Sequence, residues 1–203
     1  MRRCSARTAL SGTPSAPANL KAKAVSISRI NLAWKNNATD ATSIEIWRKA
    51  GAGAWELLTT VGADAVSYSD TNATGNSATK TYSYYLKSCN AAGCSPVTST
   101  AVVPYKPINL TATASAGKID LAWTDKSAIE TGFQVYRKNA ACSAGGAFRL
   151  RATKGANMTT HSDTGLASGS THAYKVRAYK KSAPAPYAYG YSLYSNCDDA
   201  TVQ

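Results

Sequence analysis

The sequence predicts an all-β fold of two antiparallel β-sandwiches in tandem. Three observations carry this: an internal repeat with an offset of 89 residues, strand-like alternation within each repeat, and no convincing helical period.

The repeat emerges on self-comparison. Asn31-Leu32-Ala33-Trp34 returns as Asp120-Leu121-Ala122-Trp123, and Ile44-Glu45-Ile46-Trp47-Arg48-Lys49 returns in type as Phe133-Gln134-Val135-Tyr136-Arg137-Lys138, both 89 positions later. Asn19-Leu20 returns as Asn109-Leu110 and Ser69-Asp70-Thr71 as Ser162-Asp163-Thr164, in the same order. Ordered matches at nearly one offset mark a duplication.

Each unit reads as strands. Ile30, Leu32 and Trp34 alternate with Asn31 and Ala33, and Ile119, Leu121 and Trp123 with Asp120 and Ala122, as half-buried strands require. Tyr82, Tyr84 and Leu86 alternate with Ser83, Tyr85 and Lys87. Short strands separated by Gly, Asn, Asp, Ser and Pro clusters argue for sandwiches. Pro104-Tyr105-Lys106-Pro107 divides the units, and its stiffness predicts a semi-rigid rod. Residues 1–14 are expected to form a disordered tail, 15–104 the first unit and 105–203 the second.

At 203 residues the chain has length for two cores, and its apolar runs fall far short of the ~18 residues that would span a bilayer. Membrane insertion is not expected. Met1 to Ser5 is basic but leads into no apolar segment, so export is expected to depend on a segment outside this chain. The net charge is +12 and evenly spread: residues 1–104 carry 11 Lys/Arg against 5 Asp/Glu, and residues 105–203 carry 12 against 6. Such a field favours acidic partners and association, and says nothing of fold.

Of five cysteines, Cys89 and Cys94 bracket the turn-forming Asn90-Ala91-Ala92-Gly93, where two thiols could face each other across a hairpin. A bridge there would indicate an oxidising compartment. Neither His161 nor His172 stands at zinc-ligand spacing from a cysteine pair. Asp198-Asp199 alone is too sparse for calcium, so no metal and no cofactor is expected. There is no Gly-rich phosphate loop, no G-x-S-x-G elbow and no H-E-x-x-H. Asp70, Asp125 and Asp163 read as turn-stabilising carboxylates rather than a converging catalytic pair. A non-enzymatic role is expected.

Ser15-Ala16-Pro17-Ala18-Asn19-Leu20, the strand ending in Trp34, the Arg48-Lys49 strand, and Thr81-Tyr82 through Asn90-Ala91-Ala92-Gly93-Cys94-Ser95-Pro96 together resemble a fibronectin type III domain, particularly the bacterial secreted and surface kind. The second unit resembles it over Pro107-Ile108-Asn109-Leu110, Trp123 to Ser127, Glu130-Thr131-Gly132-Phe133 and Thr164-Gly165-Leu166 to Ala178. The resemblance implies two immunoglobulin-like sandwiches, with Trp34 and Trp123 as structural core residues and Tyr82 closing the corner between strands E and F. His172 stands where the second unit's corner tyrosine is expected. Tyr179 takes the place equivalent to Cys89. The implied topology puts Cys142 and Cys197 toward opposite ends of the sandwich, so one disulfide, Cys89 to Cys94, is expected, with a Cys142 to Cys197 bridge as the alternative.

The same topology makes strands C′, C and F neighbours. If Phe133 and Val135 face inward, Tyr136 and Lys138 face out; Arg149 and Arg151 are expected outward beside inward Phe148 and Leu150, and Lys175, Arg177 and Tyr179 outward beside inward Tyr174 and Val176. Lys180, Lys181, Tyr187, Tyr189 and Tyr191 continue this basic, aromatic candidate ligand face through the F–G loop. Guanidinium groups make bidentate contacts with anions, and rings stack on sugars. The matching face of the first unit is Glu45, Trp47, Glu56, Leu58, Tyr85 and Lys87. The resemblance implies a secreted or cell-surface accessory or adhesion module, acting as spacer and binding anionic polysaccharide or a cell-surface polymer, beside a fused or neighbouring catalytic domain. Its alternative is a purely mechanical linker with no ligand. No specific nucleic acid ligand is expected, and the chain is expected to be a monomer.

Overall fold

The computed structural model describes residues 12–74 and 80–203; residues 1–11, with Cys4 and most of the expected tail, and residues 75–79 lie outside the described residues. Among the described residues every regular element is a strand, and no helix is long and apolar enough to cross a membrane.

The first unit runs β1 (Ala18–Ala24), β2 (Ile30–Lys35), β3 (Ser43–Ala50), β4 (Glu56–Gly62), β5 (Ser67–Asp70), β6 (Tyr82–Asn90), β7 (Gly93–Cys94) and β8 (Ala101–Val103). The second runs β9 (Ile108–Ser115), β10 (Lys118–Thr124), β11 (Gly132–Lys138), β12 (Arg149–Gly155), β13 (Thr160–Thr164), β14 (Thr171–Ser182), β15 (Ala188–Tyr194) and β16 (Asp198–Thr201). In the first unit β1, β2 and β5 face β4, β3, β6 and the pieces β7 and β8. In the second, β9, β10 and β13 face β12, β11, β14 and the pieces β15 and β16. The chain therefore folds as two immunoglobulin-like sandwiches of the fibronectin type III arrangement.

Period-two alternation supplies both cores. Leu20, Ala22, Ile30, Leu32 and Trp34 meet Ile44, Ile46, Tyr84 and Leu86 in the first; Leu110, Ile119, Leu121 and Trp123 meet Phe133, Val135, Tyr174 and Val176 in the second. Trp34 and Trp123 are 7% and 5% exposed. Asn19 and Asn109 recur because the backbone turns left-handed there, at φ 56° and 53°, where Asn is tolerated better than most residues.

The units are joined by more than the 104–107 linker. The long β14–β15 hairpin of the second unit lays β15 parallel to β1, pairing Lys21 with Tyr189, Ala22 with Gly190 and Lys23 with Tyr191. This joins one sheet of each unit into an eight-stranded sheet in the order β12-β11-β14-β15-β1-β2-β5, with β16 beside β14. Ala188 is buried in the first unit's core and Leu193 packs against it. A β-carbon on Gly190 would fall 1.7 Å from the Val102 carbonyl oxygen, so only glycine lets the strands approach this closely. The physical reason is edge satisfaction: β1 is an edge strand of its own unit, and β15 supplies partners for its free backbone groups. Of the span 1–14, residues 1–11 lie outside the described residues; Pro14 is buried and the Gly12 carbonyl accepts a hydrogen bond from Asn90 Nδ2 at 3.1 Å.

Candidate functional site

Where a side chain faces is set by register. In both units the C–C′ pairing slips by one residue: Ile46 opposes Thr59 but Trp47 opposes Leu57, and Val135 opposes Ala152 but Tyr136 opposes Leu150. Such a bulge reverses the facing of every later residue on its strand. Leu57 and Leu150 thereby share the outer face and are 48% and 52% exposed, while Leu58 packs against the first core. The expectation that Leu58 and Glu56 turn outward, with Leu150 inward, is corrected. Arg149 stands opposite Arg137 rather than beside Lys175, and Arg151 turns to the rim, its Nε donating to Asp163 Oδ1 at 2.8 Å. Phe148 is not inward either: the Lys138 and Lys175 ammonium groups sit 5.0 and 4.8 Å from its ring centroid.

What remains of the expected face is larger than the second unit. Register aligns Tyr136 with Lys175, Gln134 with Arg177, Tyr179 with Tyr191, and Lys181 with Tyr189, then continues across the seam to Lys21 and Lys23 and on to Asn31 and Ala33. Lys21, Lys23 and Lys181 are exposed. From Lys175 to the far edge at Ser67 and Ser69, none of these aligned outward positions is acidic. Lys21, Lys23, Asn31, Ala33, Arg177 and Tyr191 line a shallow cavity of about 360 Å³ across the seam. The rings of Tyr189 and Tyr191 stack 6.1 Å apart at 8°, and Lys181 Nζ lies 3.8 Å above the Tyr187 ring.

Two expected face residues are already engaged, and a third lies on the other side. Arg177 is 9% exposed; its Nε donates to Gln134 Oε1 at 2.9 Å and its Nη2 to Tyr136 Oη at 2.7 Å, among the rings of Tyr136, Tyr191 and Tyr194. It organises the aromatic surface rather than offering a free guanidinium. Lys138 is 6% exposed and donates to the Ala144 and Cys142 carbonyl oxygens at 2.6 and 3.4 Å, holding the loop 139–148. Lys180 is not in a loop: β14 extends through Ser182, so alternation turns Lys180 away from the face that holds Tyr179 and Lys181. Lys21 and Lys23 were missed. Their alternation is plain in the sequence, but only β15 makes them part of this surface.

The repeated Ser-Asp-Thr motif does more than stabilise a turn. Asp70 and Asp163 are buried at 1% and 0% exposure. Asp70 Oδ2 accepts from Tyr84 Oη at 2.8 Å and Arg48 Nη1 at 3.1 Å; Asp163 Oδ2 accepts from Tyr174 Oη and Arg137 Nη1, both at 3.0 Å. These aspartates tie the two sheets of each sandwich together, although Asp70 also accepts from the Asn72 amide. Burial works to raise the Asp163 carboxyl, but Arg137, Tyr174 and Arg151 hold it below the usual carboxylate range. Burial, with the adjacent aspartate, pushes the Tyr84 and Tyr174 hydroxyls far up.

Cys89 and Cys94 form a disulfide across the β6–β7 hairpin, and Cys142 and Cys197 form a second, with Cα atoms 6.0 Å apart. The second corrects the expectation of one bridge. The last strand begins at Ala188 and breaks between β15 and β16, so Cys197 falls in that break, near the end of the sandwich where β11 meets the loop 139–148. Asp199 Oδ1 accepts from the Cys142 amide at 2.8 Å and Asp198 Oδ2 from the Ala112 amide at 2.7 Å, so both carboxylates anchor backbone. Tyr82 Oη donates to the Thr74 carbonyl oxygen at 2.7 Å, closing the first unit's corner. His172 instead joins Ser170 Oγ at 2.9 Å and Asn139 Oδ1 at 3.1 Å.

The first unit's outer face is a closed ring cluster. Trp47 stacks on Tyr85 at 5.7 Å and 15° and donates its Nε1 to Glu45 Oε2 at 2.8 Å, while Trp55 tilts onto Tyr85 at 4.5 Å. Among the described residues, the group close enough to share a metal ion is Glu45 with Cys89 and Cys94, whose sulfurs are tied in the disulfide and are not thiolates.

No protein-family model and no curated protein matches this sequence. Among solved structures, the FN1–FN3 domains of chicken CNTN1 match at 17% identity and a TM-score of 0.47, over 95% of this chain and 68% of that one. A two fibronectin type III domain segment of chicken tenascin matches at 13% identity and a TM-score of 0.39, over 93% of this chain and all of that segment. Both of these structures are tandem fibronectin type III segments.

Proposed function

We propose that this chain is a non-catalytic extracellular accessory or adhesion module, of the kind that bacterial secreted and surface proteins carry beside a catalytic domain, and that its seam-spanning sheet face binds anionic polysaccharide. The observation behind this reading is the alignment of Lys21 and Lys23 with Tyr189, Tyr191 and Lys181 on a surface without opposing carboxylates. Exposed ammonium groups attract anions at long range, and neighbouring rings offer sugar-stacking surface. The two disulfides support an oxidising, extracellular setting.

Heparin chromatography tests the face. Lys21→Glu/Lys23→Glu/Lys181→Glu is expected to elute at much lower salt than the parent chain, with unchanged circular dichroism. Equal elution would remove the sheet face from consideration. A second reading is a ligand-free mechanical linker, favoured by the β15–β1 pairing, which couples the units without any ligand. It predicts no saturable binding across a glycan panel.

A further inference from the structure

The duplication provides its own control for a second site. At one cross-strand position the first unit sets Glu56 opposite Arg48, whereas the second sets Arg149 opposite Arg137. Opposite charges directly across a sheet stabilise it and like charges destabilise it. The second unit adds Arg151 to the same rim, yet supplies one carboxylate, Asp163, which accepts from both Arg137 and Arg151. Arg149 is exposed and makes no ion pair among the described residues. Three guanidinium groups against one carboxylate leave two positive charges uncompensated on this rim.

Arg137, Arg149 and Arg151 line a cavity of about 460 Å³ between β12 and the loop 139–148. That loop is held in place before any ligand arrives. Cys142 is bonded to Cys197, Lys138 grips two of the loop's carbonyls, and Asn139 is fixed by His172. The equivalent connection in the first unit, residues 51–55, has no disulfide. Preorganised guanidinium forks match the planar or tetrahedral oxygens of carboxylate and sulfate, and a fixed loop lowers the ordering cost of binding.

We propose that this cavity is an oxyanion subsite, taking one sulfate ester or carboxylate group of an acidic polysaccharide. Arg149 supplies the free fork, and Asp163 orients Arg137 and Arg151. The site lies on the sandwich rim, separate from the sheet face, and does not depend on that face binding anything.

The test titrates the full chain with sodium sulfate and, separately, with sodium glucuronate, each against sodium chloride of equal ionic strength, following the amide resonances of Gly145, Gly146 and Arg149. Saturable shifts with at least one oxyanion are expected, with saturation by sulfate alone marking a sulfate-ester site and by glucuronate alone a carboxylate site. Arg149→Glu, which restores the first unit's charge pattern, is expected to melt higher than the parent in chloride and to bind roughly tenfold or more weakly, as loss of a charged hydrogen bond implies. Arg149→Gln repeats the binding test without adding an acid. Lys21→Glu/Lys23→Glu is expected to leave the shifts intact, which separates this site from the sheet face. No saturable shift in the parent chain, or full binding by both Arg149 variants, would overturn the proposal.

Discussion

The two repeats keep the same internal clamp and differ in what their edges do. Each buries an Asp between an Arg and a Tyr, yet the first unit ends its F–G hairpin after the two-residue β7, whereas the second extends β14 and β15 far enough to pair with its neighbour. The first unit's C–C′ connection is short and its flanking strands set Glu56 opposite Arg48; the second's is long, disulfide-tied and flanked by Arg137, Arg149 and Arg151. Duplication thus preserved the groups that hold two sheets together and left hairpins and rims free to diverge, because a buried charge tolerates no loss of partner while an exposed loop does.

The clamp offers the sharpest way to break this comparison. Asp70→Ala and Asp163→Ala are each expected to cost about 3–5 kcal/mol in urea unfolding, since each removes a buried carboxylate that pairs a half-buried guanidinium and takes the acceptor from a buried tyrosine hydroxyl. Asp163→Ala should cost more, because it strands Arg137 and Arg151 together. A smaller loss at Asp163 than at Asp70 would mean that the second unit relies on its clamp less.

The disulfides should separate the units next. Loop-closure entropy gives about 4 kcal/mol for Cys142–Cys197, with a sequence separation of 55, and about 2 kcal/mol for Cys89–Cys94, with a separation of 5. Paired Cys→Ser variants measured in urea check the ranking, and equal losses would contradict it.

Gly190→Ala probes the seam alone. The new methyl meets the Val102 carbonyl, and overpacking of this kind costs about 1–3 kcal/mol. Hydrogen exchange should show lost protection at β1 amides paired with β15, with β6 and β11 amides unchanged. Unaltered β1 protection would mean that the units are held by something other than this strand pair.

Acidification gives the smallest effect and a clear sign. Both histidines lie in the second unit. Burial, with the nearby cations Lys154 at His161 and Arg137 at His172, holds both imidazoles below their ordinary value. As pH falls through about 6.5 the unfolded chain takes up protons that the folded chain resists, so stability present above that pH declines. The contribution of Asp163, whose carboxyl is depressed, persists until pH falls below about 4. Between pH 7.5 and 5.5 the exchange protection of β14, corrected for intrinsic rates, should therefore fall relative to β6. His161→Gln/His172→Gln should flatten the difference.

Much of the architecture was legible without coordinates. The Trp34 and Trp123 strands, the repeat and the Cys89–Cys94 hairpin depend on neighbours a few residues away, and such neighbours leave a mark in local alternation and turn composition. The candidate face was legible only in part. Tyr136, Lys175 and Tyr179 follow simple alternation, but Arg149, Arg151 and Leu150 lie beyond a bulge that no residue type announces. Lys138 and Arg177 occupy the expected side of their strands and are nevertheless consumed by internal bonds.

By itself, then, the sequence determined the strand class, the duplication and which side of each regular strand is apolar. Tertiary structure alone decided that β15 lies beside β1, that Cys142 meets Cys197, and that Asp70 and Asp163 are buried clamps. The reason is physical. Side-chain alternation records what each strand buries, whereas backbone hydrogen bonds are chemically the same at every residue except proline, so any free edge can accept any strand, and the choice falls to hairpin length and close packing at Gly190.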